Sequence, residues 1–188
     1  MKKRILFALL AVAMVVSFAA CGAGSSANNV EIESPVALID GVWTTFAEEE
    51  KFPVMGGDFN TPVDGAAGKF DISDKENAVA TLHIAEDALP LVDDVATLTH
   101  AMNANTFSAA AYHVADAKNT ETLVSSLKES IKGTQWMCGF PDTLIIYTVN
   151  DDYVVAAFGN KDAIASFKTK LATVYGESAA LKVEEALV

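Results

Sequence analysis

Arginine is almost missing from this chain: Arg4 is the only one in 188 residues. Past residue 4 there is no guanidinium fork to grip a phosphate or a carboxylate in two places. The 25 acidic residues outweigh the 13 basic ones, giving a formal charge of −12, so the basic footprint of a nucleic-acid binder is absent and that function is excluded. Cysteine is equally scarce, with only Cys21 and Cys138. A secreted fold held by several disulfides is therefore ruled out. The three histidines, His83, His100 and His113, show no i, i+4 pair or other metal-ligand spacing, which gives no zinc motif. No catalytic motif, cofactor-binding motif or internal repeat is present.

What is present begins at the N-terminus. Lys2, Lys3 and Arg4 precede the uncharged apolar run from Ile5 to Val16, which is too short for a span of about 20 residues but has the charge asymmetry of an export signal. The junction Phe18-Ala19-Ala20-Cys21 resembles the lipobox of bacterial lipoproteins. Phenylalanine at −3 argues against ordinary signal peptidase, which takes small side chains at −3 and −1. The expectation is cleavage after Ala20 and attachment of diacylglycerol to the Cys21 thiol, leaving the mature chain on the outer face of the cell membrane. Cys138 then has no partner for an internal disulfide. Gly22 to Glu33 reads as tether, rich in Gly, Ser and Asn at its start. The organisation expected is a signal over 1–20, lipidated cysteine and tether over 21–33, one domain over 34–176 and a C-terminal tail over 177–188.

Within the domain, Ser34-Pro35 signals a helix start, and Ile39, Val42, Trp43 and Phe46 share one face, predicting a helix over 35–49. Residues 51–73 hold two prolines and four glycines, too many for a long regular element, with Phe52, Met55, Phe59 and Phe70 expected to pin the segment to the core. Ser73 or Asp74 caps a short helix to Leu82, and 86–94 reads as irregular around Pro90. Thr106 to Ala115 reads as a buried strand. Asn119 or Thr120 opens a helix with Leu123, Val124, Leu127 and Ile131 on one stripe. Residues 143–149 and 153–158, separated by Asn150-Asp151-Asp152, form a hairpin, and Asn160 caps a last helix closed by Gly176. The class predicted is α+β, a small mixed sheet built from a βαβ unit extended by a hairpin and packed against amphipathic helices.

The segments His100 to Phe107, Trp136 to Pro141 and Tyr153 to Val155 together resemble small cell-surface lipoproteins of Gram-positive anaerobes that carry a domain of unknown function. That resemblance implies a surface lipoprotein with one α+β domain, and it supplies no activity, catalytic residue or cofactor to carry over.

Trp136, Met137 and Phe140 are the candidate binding residues, able to line an apolar pocket or to close the core. Cys138 among them is either a small buried hydrophobe, desolvated by these neighbours, or a nucleophile served by a histidine. Asp58, Asn60 and Asp64 suggest a calcium loop, but Pro62, Val63 and Lys69 break the EF-hand pattern. The function expected is a membrane-anchored, non-enzymatic binding or envelope-accessory module, its partner an envelope protein or small ligand. The alternative is an exported enzyme using Cys138.

Overall fold

Ser34 opens the first helix as the sequence predicts: its Oγ accepts from the Ala37 N–H, with Pro35 at the first helical position. In this computed structural model, which describes residues 29–137 and 139–187, helix α1 spans Pro35–Trp43. It stops six residues short of the expected end, because the Thr44 and Thr45 hydroxyls bond back to the carbonyls of Asp40 and Val42. Phe46 still reaches the core through the turn that follows.

The chain then forms three short strands, β1 (Val54–Gly56), β2 (Val63–Asp64) and β3 (Gly68–Lys69), before helix α2 (Lys75–Leu82), capped by Asp74. Strand β4 (Val92–His100) occupies residues read partly as irregular. Strand β5 (Phe107–Val114), helix α3 (Thr120–Lys132), strands β6 (Thr143–Val149) and β7 (Tyr153–Gly159) and helix α4 (Lys161–Tyr175) follow the sequence reading closely. The last element corrects it. Residues 177–188, expected to be a tail, contribute β8 (Ala179–Ala186), paired along the whole of β6.

The class is α+β. The sheet has eight strands in the order β2-β1-β4-β5-β7-β6-β8, with β3 also on β4, and every bonded pair is antiparallel. The expected mixed sheet is therefore corrected, for a simple reason. Strands β5 and β6 do run parallel, joined by α3, but β7 lies between them and is antiparallel to both. Strands β7 and β8, joined by α4, likewise run parallel with β6 between. The two crossovers move the same way across the sheet from strands pointing in opposite directions. Right-handed connection then requires their helices to lie on opposite faces.

They do so. One face carries α1 and α4, packing Leu38, Trp43, Phe167 and Leu171 against Phe107, Ile145 and Val155. The other carries α2 and α3, packing Leu82, Leu123 and Leu127 against Tyr112, Ile146 and Val154. Central strands buried on both faces read as continuous apolar runs, which is why β6 and β7 are legible without alternation.

Register gives the sheet two distinct ends. At one, the β6–β7 turn meets the start of the described chain: Asn150 Nδ2 donates to the Val30 carbonyl at 2.9 Å, and Tyr153 to that of Ile32 at 3.4 Å. Residues 30–33, read as tether, are thus docked. At the other end Phe107, Thr143 and Gly159 stand level, about 20 Å away along the strands, and the loops 101–106 and 136–142 emerge there.

Candidate functional site

Three backbone devices present apolar tips, two on the loops at this end of the sheet and the third on the turn that joins β1 to β2 and leaves β1 in the opposite direction. In the first, His100 Nδ1 accepts from the N–H groups of Met102 and Asn103 at 3.2 Å each, while its ring stacks on Phe52. This tight turn holds Met102 outward, 85% exposed. The second is the 136–141 loop, where Gly139 has φ +71° and its carbonyl accepts from Asn105 Nδ2 at 2.7 Å. A Cβ there would also come within 2.9 Å of the Asn103 side chain, so only glycine lets the two loops approach this closely.

The third device surrounds Asp58. This side chain is only 6% exposed, and its carboxylate takes four hydrogen bonds, from the N–H groups of Asn60, Thr61 and Asp71 and from the Thr61 hydroxyl. Burial by itself would raise the Asp58 pKa, but the donors from Asp71, Thr61 and Asn60 outweigh it and hold the carboxyl below its ordinary 3.8. Gly57, at φ +81°, lies so close to the Thr61 carbonyl that a Cβ would clash. The loop so pinned displays Phe59, 93% exposed.

Phe59 and Met102 line one groove of about 550 Å³, together with Met55, Pro62, Asn77 and Thr81. Its floor continues past Gly57, Thr81 and Thr99 into a crevice of about 60 Å³ between α2 and the sheet, where Thr97, Ser108 and Ala110 are too small to fill the space under the helix. Asp58 also lines a second hollow of about 450 Å³, together with Lys69, Asp71, Asp93 and Asp94.

The sequence-predicted residues divide. Trp136 is half-buried against the α2/α3 core, its ring 5.1 Å from those of both His83 and Phe158. Met137 and Phe140 are 95% and 65% exposed and do not close the core. Cys21, Ala20 and Cys138 lie outside the described residues. Phe70 and Phe52 pack inward as expected, whereas Phe59 does not. Met102 and Phe59 carry no local sequence signal of exposure, beyond the Asp-x-Asn pattern that announces the turn at 58–60.

The histidines occupy three different settings. His83, left-handed at φ 50°, sits between aromatic rings, and burial lowers its pKa from the ordinary 6.5. His83 Nδ1 lies 3.1 Å from Thr134 Oγ1, which also bonds the Ser130 carbonyl. His113 pairs with Asp93 and Asp152 on the opposite side of the sheet's length. Among the described residues no group of three or more His, Cys, Asp or Glu side chains has the arrangement of a metal site. Asp58 is not a calcium ligand, since both its oxygens already face hydrogen-bond donors. Among the described residues no helix is long and apolar enough to cross a membrane. No protein-family model, curated protein or solved structure matches this chain.

Proposed function

We propose that the protein is an extracytoplasmic lipoprotein, anchored in the cell membrane through diacylglycerol on Cys21, whose domain is a non-enzymatic binding module for an envelope partner. The observation that carries this reading is polarity. Val30, where the tether joins the fold, is bonded to Asn150 at one end of the sheet, while Met102, Met137 and Phe140 project from the loops at the other. A domain held by its turn end directs its apolar loops away from the bilayer, toward whatever lies beyond it. Two acyl chains, at about 0.8 kcal/mol per buried methylene, suffice to hold such a domain without a protein span. Exposed apolar tips on rigid turns suit recognition, since few side chains need ordering on binding.

The experiment has two arms. Cys21→Ser moves the protein from the membrane fraction to the soluble fraction or leaves it unprocessed. A photo-crosslinker at position 137, in intact cells, captures a discrete envelope component, whereas one at position 118, exposed at the turn end, does not. Equal capture at both positions contradicts the assignment of the binding end.

The enzyme reading retains one supporting contact: the His83 ring packs on Trp136, two residues ahead of Cys138. Fast thiol labelling of Cys138 that slows in His83→Asn would favour the enzyme.

A further inference from the structure

We propose that the groove between the 57–62 loop, α2 and the 101–104 loop docks an extended segment of a partner protein bearing an apolar or aromatic anchor next to lysine or arginine. This inference rests on the binding-module reading and names the partner's chemistry.

The apolar requirement comes from the walls. Phe59 and Met102 stand almost fully in solvent, and neither is a floppy accident: the Asp58 bonds fix one turn and the His100 bonds fix the other. Exposing a large ring on a turn held by this many hydrogen bonds forgoes the favourable burial of an aromatic side chain, a cost that a bound anchor recovers. Methionine adapts to anchors of different shape, which suits a side chain entering from a varied sequence. Gly57 leaves backbone exposed at the floor, and the crevice beyond it is lined by Thr97, Thr99 and Ser108.

The basic requirement comes from the charge beside the groove. Segment 57–94 carries nine acidic residues and two lysines. The hollow that shares Asp58 with the groove is lined by Asp71, Asp93 and Asp94, and its one cation, Lys69, is bound to Asp94 at 3.0 Å. From β5, His113 faces Asp93. An anionic headgroup, nucleic acid or acidic peptide would be repelled here, and a neutral peptide would leave the carboxylates unused. An extended basic segment satisfies both halves: its anchor meets Phe59 and Met102, and its cation meets the carboxylates across Asp58.

The test titrates the purified chain with an amidated nine-residue peptide alternating lysine with leucine, by isothermal calorimetry at low and at physiological ionic strength. The expected result is saturable binding that weakens severalfold as salt screens the exposed carboxylates, with Phe59→Ala and Met102→Ala each weakening it about tenfold. Asp93→Asn with Asp94→Asn reduces the salt dependence and leaves the anchor contribution. Phe59 and Met102 are almost fully exposed, and thermal melting of each variant checks that the fold is kept. Equal binding of a lysine–serine peptide, equal binding after Phe59→Ala, or no binding of the lysine–leucine peptide overturns the proposal. So does preferential binding to phosphatidylglycerol vesicles. If the peptide fails while capture at position 137 persists, this inference falls and the binding-module reading stands; loss of both removes both.

Discussion

Asn105 donates from Nδ2 to the carbonyl of Gly139 at 2.7 Å, and this bond joins two loops that leave different strands at the same end of the sheet. It brings the turn that exposes Met102 alongside the segment that exposes Met137 and Phe140. Asn105→Ala removes the donor and leaves the Gly139 carbonyl to water. The expected stability loss is about 1 kcal/mol, and hydrogen exchange should accelerate over 136–141 far more than in β5 or β6. Unchanged exchange in that loop would mean the latch does not hold it.

The carboxylate of Asp58 organises the Phe59 turn only while ionised. Its pKa lies below 3.8 in the fold because the donors from Asp71, Thr61 and Asn60 outweigh burial. A carboxyl depressed by folding contributes stability that is present above its unfolded value and lost as pH falls through its folded one. Asp58→Asn sets amide hydrogens against two of the donors and should cost about 1–3 kcal/mol at neutral pH. Urea unfolding of both proteins from neutral pH to about pH 3 should show the difference between them shrinking on acidification.

His83 works with the opposite charge and the same direction. Burial lowers its pKa from 6.5, so below about pH 6.5 the unfolded chain takes up a proton that the folded chain refuses. Its contribution is full above 6.5 and is lost as pH falls toward the folded value. Asparagine tolerates the left-handed backbone at this position, so His83→Asn should remove that part of the slope. Chemical unfolding at about pH 5.5 and 7.5 reads the change; an identical slope in the variant would contradict it.

Deleting residues 177–188 should unfold or aggregate the domain. Strand β8 covers the edge of β6 residue by residue, buries Val183, and ties Glu185 to Lys128 and Lys132 and Glu184 to Lys168. Without it, an apolar strand becomes an unprotected edge. Circular dichroism and gel filtration decide: a native-like, monomeric product would show β8 to be dispensable.

That strand also marks where sequence reading runs out. Leu123, Leu127 and Ile131 recur at helical spacing between clear caps, so α3 is legible, and the two runs about Asn150-Asp151-Asp152 declare their hairpin. In Ala179–Ala186, Lys182, Glu184 and Glu185 interrupt the apolar pattern, because an edge strand needs charge to deter further pairing. A protected edge therefore looks like a tail. Strand β4 is obscured in another way: Pro90 and Asp93-Asp94 resemble a turn, and Thr97 and Thr99 find their partners in the Gly57 and Met55 carbonyls, 40 or more residues away. The exposed loops are the least legible. Phe59 and Phe70 are chemically identical, and only tertiary placement buries one and exposes the other. Met102 was similarly hidden, since the bonds that turn it outward come from His100 rather than from a turn motif.

The proposed lipid tether, on which the orientation of the domain and of its exposed loops depends, is tested by the intact mass of the protein extracted from its own membrane. The expected result is a mature chain beginning at Cys21 and carrying the mass of a diacylglycerol group. A chain beginning elsewhere, or beginning at Cys21 without acyl mass, would contradict it.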